Sequence, residues 1–182
     1  MRTSEALRQG VHPETLYAMR DAHLVEQIVP GLFKLVDVSE DEHLDWLIVA
    51  KRAPKAVICL TSALAFHDLT DHLTEDTYIM LPKGIKPPKA ERPPIRSFHQ
   101  AQPSYEAGIQ THLIHQIPVR IYSPEKTVVD CFQFRSRVGL EVAIDALKNC
   151  VRKRKRRPIH FVEFARLSGV ENVMRPYLEA IS

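Results

Sequence analysis

Apolar positions along the chain recur at two spacings, and the switches between them mark out the elements. Leu16, Met19 and His23 follow one another at intervals of three and four, opposite Glu14, Thr15, Tyr17, Ala18 and Asp21. That pattern predicts a short amphipathic helix whose first residue is Pro13, where a missing N–H does no harm. Ahead of it, Thr3 or Ser4 is placed to cap a helix running through Leu7, which Gly10 would stop. Behind it, two runs of Val, Ile, Leu and Phe between Val25 and Leu35 flank Pro30–Gly31, which reads as a hairpin. Helix, turn, second helix, hairpin is the outline of a winged helix-turn-helix, here spanning residues 1–36. Val36 to Glu42 is acidic and aperiodic, and is the expected linker to a larger unit over 43–182.

In that larger unit, Leu44, Leu47, Ile48 and Lys51 predict a helix ending before Pro54. Thr61 or Ser62 is expected to cap another helix bearing Leu64, Ala65, Phe66 and Leu69, and the run Thr77 to Leu81 is strand-like. Further strands are expected at Ile95 to His99, Ile109 to His115 and Val119 to Tyr122, the last two joined near Gln116. Ser123–Pro124–Glu125 is a strong helix start: a capping hydroxyl, a first-turn proline and an acid at the positive end. Leu140, Ala143, Ile144, Leu147 and Val151 form the cleanest helical stripe, followed by segments carrying Phe161, Phe164 and Leu167, then Met174, Tyr177, Leu178 and Ile181. The expected class is α+β: an N-terminal, shortened winged helix-turn-helix followed by a larger mixed α/β domain.

Composition narrows the class further. A chain of 182 residues, 45% hydrophobic and 26% charged, needs neither disulfides nor a metal to hold a core. Its longest purely apolar stretches are five residues, Trp46 to Ala50 and Ala56 to Leu60, far short of a bilayer span of about 20. The opening MRTSEALRQG has no apolar segment of the signal-peptide kind, and Cys59, Cys131 and Cys150 are odd in number and widely spaced. Reduced thiols, a cytoplasmic location and no membrane partner are therefore expected. The net charge of +3 is unevenly spread: residues 1–60 carry −2 and residues 61–182 carry +5. Attraction for phosphate is expected mainly in the second half.

Signatures of catalysis are missing. The six glycines are too dispersed for a phosphate cradle, and there is no HExxH, no GxSxG and no Asp/Glu-x-Lys. We expect no enzyme activity, no cofactor and no metal. The run His67-Asp68-Leu69-Thr70-Asp71-His72 offers metal-type donors if helical, with His67 beside Asp71 and Asp68 beside His72, but polar residues closing a helix account for it more simply. His112 and His115 differ in strand parity and read as solvated strand and turn residues.

Three features suit a polyanion. The helix from Pro13 to Ala22 displays Thr15 and Tyr17, with Arg20 at its edge; an ordinary helical pair has the same outline. Arg152, Lys153, Arg154, Lys155, Arg156 and Arg157 are six consecutive cations, fit either to release counterions from phosphates or to form a solvated helix end. The proline-punctuated stretch Lys83 to Arg96 carries +4 and reads first as a surface connection, second as a backbone-tracking loop.

Several segments taken together resemble the AbiEi family of antitoxins from type IV toxin–antitoxin and abortive-infection systems. They are TSEALRQGVHPETLYAMRDAHLVEQIVPGLFKL, PKAVICLTSALAFHDLT, TYIMLPKG, VRIYSPEKTVVDCFQFRSRVGLEVAIDALKN and VMRPYLEAI, in that order over nearly the whole chain. The resemblance implies a winged helix that binds and represses the promoter of its own operon. It also implies a C-terminal antitoxin domain opposing a nucleotidyltransferase-like toxin without a stable complex. Family members usually carry a further helix before the segment matching Thr3 to Leu7, so a shortened module is expected here. Where they often have basic residues and an arginine, this chain has Glu14 and Pro30, and where their strand turn has Asp-Gly it has His115–Gln116. The expected DNA contacts are His12, Thr15, Tyr17 and Arg20 on the recognition helix, Lys34 on the wing, and Arg152 to Arg157 on backbone phosphates. The alternatives are a DNA-silent interaction protein that keeps only the C-terminal activity, and a metal-dependent enzyme using the His67–His72 cluster.

Overall fold

The computed structural model describes residues 3–8, 10–36, 43–72, 74–88 and 93–181. Two short helices, α1 (Thr3–Arg8) and α2 (Pro13–Asp21), open the chain. Gly10 stops α1 at φ +84: its N–H donates to the Leu7 carbonyl, and the Val11 N–H donates to Ala6 at 2.8 Å. These are the paired bonds of a Schellman ending, in a backbone region that costs a residue with a Cβ about 1–2 kcal/mol. Strands β1 (Val25–Val29) and β2 (Leu32–Leu35) pair antiparallel across Pro30–Gly31, with Val25 opposite Leu35 and Gln27 opposite Phe33. Ala6, Leu16, Val25 and Phe33 meet in a small core flanked by Val11 and Met19.

Neighbouring strand residues face opposite ways. Leu32, next to Phe33, therefore joins a different cluster, with Trp46, Leu47, Ile48 and Val49 of α3 (Leu44–Arg52). The linker expected from Val36 to Glu42 falls mostly on residues 37–42, outside the described residues.

Strands β3 (Val57–Ile58), β4 (Thr77–Pro82), β5 (Ile95–Gln100), β6 (Ile109–Ile114) and β7 (Ile117–Tyr122) form one mixed sheet in the order β5-β4-β3-β7-β6. β3 is antiparallel to β4 and parallel to β7, β4 and β5 are parallel, and β6 and β7 are antiparallel. Alternation divides the sheet cleanly. Ile58, Ile79, Leu81, Val119 and Ile121 face α3, whereas Val57, Met80, Phe98 and Tyr122 face a second, larger cluster. That cluster draws on α5 (Pro124–Gln133), α7 (Leu140–Arg154), α8 (Ile159–Leu167) and α9 (Glu171–Ala180); the short α6 (Arg135–Val138) joins α5 to α7. Both faces of β4 are covered, which is why Thr77 to Leu81 reads as an unbroken buried run. No helix among the described residues is long and apolar enough to cross a membrane.

One local expectation is corrected, and the turn expected near Gln116 is present. Thr61 and Ser62 lie inside α4 (Leu60–Phe66) rather than capping it, because the helix starts at Leu60 with Cys59 in the cap position. The Ser62 hydroxyl instead accepts the Tyr78 N–H at 3.0 Å, tying α4 to β4. The β6–β7 turn is a two-residue loop with His115 at φ 47 and Gln116 at φ 60. Strand twist selects a turn with two positive φ angles even where Asn-Gly is absent.

Candidate nucleic-acid interface

α2 presents one face to solvent. His12, Glu14, Thr15, Tyr17, Ala18 and Asp21 are exposed, and Leu16 is buried beneath them. The Tyr17 ring, 44% exposed, meets the edge of Phe33 with centroids 6.3 Å apart. The Arg20 guanidinium lies 5.1 Å from that ring and donates twice to Asp21, at 3.0 and 2.8 Å. His12 stands 3.9 Å from Glu14, and Lys34, half-buried on β2, is directly opposite Glu26 in the ladder. Each basic side chain expected to contact DNA in this unit thus has an acid for a neighbour. Thr15 and Tyr17 remain as exposed uncharged groups on this face.

The basic run does not simply follow α7, as the sequence pattern suggested. Arg152, Lys153 and Arg154 form its last turn, and Lys155 ends it in the left-handed conformation at φ 51. With 3.6 residues per turn, the three helical cations point about 100° apart. All six side chains are exposed, yet three are held internally. The Lys153 ammonium donates to the Asp68 carbonyl at 2.9 Å and to its carboxylate at 3.1 Å. Arg154 donates to the His67 carbonyl at 2.6 Å, and Arg156 is ion-paired with Glu125 in the first turn of α5. Among the described residues Arg152 reaches only the neutral Asn149 side chain, and Arg157 bonds through its backbone N–H to His160. Among the described residues, Lys153 and Arg156 have an anionic partner and Arg154 a main-chain carbonyl, which leaves the side chains of Arg152, Lys155 and Arg157 tied to neither.

The stretch from Lys83 to Arg96 joins the parallel strands β4 and β5. Lys89 and Arg92 lie outside the described residues. The carbonyl of Ile85 is held by the His99 ring at 2.9 Å, and Arg96, already part of β5, is ion-paired with Asp76 over the Tyr78 ring.

The His67–His72 run is not helical, so its proposed pairings do not form: α4 ends at Phe66, and Asp68 takes φ 55. Among the described residues no group of three or more His, Cys, Asp or Glu is placed to hold a metal. His67 turns inward instead. Its Nε2 lies 2.7 Å from the Tyr122 carbonyl, which can only accept, so this nitrogen carries the proton. Its ring packs on Phe66, which also meets His43, Trp46 and His112 at 4.7 to 6.2 Å. Burial holds His67 below its ordinary value of 6.5; the Tyr122 bond opposes this, Arg154 and His112 add to it, and Glu125 opposes it. A depressed histidine makes the folded state reluctant to bind a proton that the unfolded chain accepts. Stability is thus expected to fall as pH drops below about 6.5, with a slope of at most about 1.4 kcal/mol per pH unit. His67→Gln, which keeps a donor for Tyr122, should flatten that limb in urea unfolding at pH 5, 6 and 7. An unchanged slope would assign it to another group.

The most elaborate polar site is one that sequence reasoning passed over. Lys126 and Asp130, four apart on α5, form an ion pair with both side chains at 0% exposure. The ammonium also donates to the Gln100 side-chain oxygen at 3.0 Å and sits 4.7 Å from the Tyr122 ring centroid. Gln100 in turn donates to Asp130 at 2.7 Å and to Gln133. Burial pushes the Asp130 carboxyl up, while Lys126 and the hydrogen bonds hold it down. Gly108 closes over the pair: at φ +75, a Cβ there would come 2.7 Å from Lys126 Cβ. The available signal was a Lys and an Asp spaced i, i+4 in a helix otherwise flanked by Val128, Val129 and Phe132. Cys59, Cys131 and Cys150 are buried, and burial pushes all three thiols up, so they serve as apolar filling.

No family model matches the chain, and no curated protein matches it.

Proposed function

We propose that this chain is a DNA-binding antitoxin of the AbiEi type, which represses its own operon in the cytoplasm and counters a nucleotidyltransferase-like toxin without a stable complex. What carries the DNA half of the reading is α2. It is a nine-residue helix with Thr15 and Tyr17 exposed, packed through Leu16 against a two-stranded ribbon. A helix of that length, standing proud of a rigid hairpin, suits the major groove, with the ribbon as wing. The antitoxin half rests on the resemblance of the sequence segments.

Phosphate attraction in this reading comes from Arg152, Lys155 and Arg157, whose side chains, among the described residues, neither pair with an acid nor bond a main-chain carbonyl. Gel-shift titrations with a duplex from immediately upstream of the operon, at several salt concentrations, test it. Replacing Arg152, Lys155 and Arg157 with alanine should weaken binding to every duplex alike and reduce the salt slope by about 3. Replacing the tethered Lys153, Arg154 and Arg156 should change it by less. Tyr17→Ala should cost about tenfold in discrimination between the operator and a scrambled duplex, with a smaller loss of overall affinity. Equal slopes in the wild type and the first triple variant would remove the basic run from the proposal.

One set of observations favours a second reading, a DNA-silent interaction protein. Acids stand beside His12, Arg20 and Lys34, and three of the six cations are tied down. No shift on any duplex, together with preserved rescue of cells from the toxin, would establish that reading in place of the first.

A further inference from the structure

Strand β7 places Arg120 directly opposite Thr111 of β6, beside a cleft of about 280 Å³. The other walls are apolar: Val49 and Ala50 from the end of α3, Pro54, Ile58 and Pro118. The guanidinium is fixed from one side only. Its Nη1 donates to the Tyr105 hydroxyl at 3.1 Å and, at 3.4 Å, to the Pro54 carbonyl, while the Tyr105 hydroxyl donates onward to the Lys55 carbonyl. The Tyr105 ring centroid lies 5.7 Å from the guanidinium carbon. Among the described residues, Nε and Nη2 meet no acceptor, and no carboxylate lies within ion-pair distance. Arginine's Nε–Nη2 edge is a planar fork matched to a carboxylate, and a cation against an apolar wall gains from an anion that brings its own apolar body.

We propose that this cleft binds a small monocarboxylate with an apolar body, its carboxylate on Arg120 and its body against Ala50, Pro54 and Pro118. The volume lies just under the usual range for ligand pockets and limits the occupant to on the order of ten non-hydrogen atoms. The site does not depend on the DNA-binding proposal.

The full chain titrated with sodium benzoate, followed by backbone amide NMR shifts, tests this, with sodium chloride and benzyl alcohol in parallel. Saturable shifts around Ala50, Thr111 and Arg120 are expected for benzoate. Benzyl alcohol, the same ring without the charge, should bind at least about tenfold more weakly. Arg120→Gln should lose benzoate by a similar factor. Ala50→Phe, which fills the apolar half and leaves Arg120 in place, should abolish the shifts even if the arginine variant folds poorly. The proposal is overturned by an absence of saturable shifts, by wild-type affinity in either folded variant, or by shifts confined to the basic run.

Discussion

Lys126→Met should cost about 3–5 kcal/mol of folding free energy, the usual cost of removing one partner of a buried ion pair. The ammonium is completely enclosed, and its removal leaves the Asp130 carboxylate in an apolar surround with Gln100 as its remaining donor. One oxygen of that carboxylate already has no hydrogen-bond partner among the described residues. The deficit should depend on pH with a definite sign. With the ammonium gone, nothing charged opposes the upward push of burial on the Asp130 carboxyl, so its folded value stands further above the unfolded 3.8. The penalty is then complete above the folded value and shrinks as pH falls through it toward the unfolded one. Urea unfolding of Lys126→Met should therefore show a smaller loss at pH 5 than at pH 8. The double variant Lys126→Met/Asp130→Leu, which removes both charges, should recover most of the stability. A single-variant loss below about 1 kcal/mol would show that water reaches the pair.

Phe33→Ala should unseat the N-terminal unit while leaving the sheet folded. Among the described residues the core there has four buried side chains, Ala6, Leu16, Val25 and Phe33, and Phe33 is the largest of them. Deleting a buried phenylalanine costs about 3–5 kcal/mol, and a core this small has little left to offset it. The Tyr17 ring loses its edge contact in the same step. Amide hydrogen exchange should show protection lost over residues 13–35 and kept in β4, β7 and α5. On the proposed reading, operator binding should disappear with it, because an unanchored α2 could not hold Thr15 and Tyr17 in a groove. Wild-type protection in α2 would mean that something other than this core positions the helix.

Much of the fold is legible in the sequence because its local signals agree. Ser123–Pro124–Glu125 announces α5, and the Ser123 hydroxyl does accept the Lys126 N–H at 3.3 Å. The Leu140–Val151 stripe is α7, and Pro30–Gly31 is the turn of the first hairpin. The errors arise where long-range packing overrides the local pattern. His67 closes a helix, as the polar run through His72 suggests, but nothing local shows that its ring finds a partner in Tyr122, 55 residues on. The basic run looked uniform because nothing in its sequence shows that Asp68, His67 and Glu125 come to meet it. Lys126 escaped notice because a lysine in a helix is ordinarily solvent-facing, and its enclosure depends on Gln100 from β5 and on Gly108. The exposed face of α2 follows from periodicity; the acids beside its cations follow only partly, since Glu26 comes opposite Lys34 through strand register.

The opposed neighbours Leu32 and Phe33 also bear on how this chain can be taken apart. Because Leu32, with Ile28 beside it, packs against Trp46 and Leu47, the first 36 residues are not a detachable cassette. A chimera that grafts them onto an unrelated partner would carry a bare greasy strip along one side of its ribbon. Such a fusion would need Leu32 and Ile28 recoloured with polar residues to stay in solution.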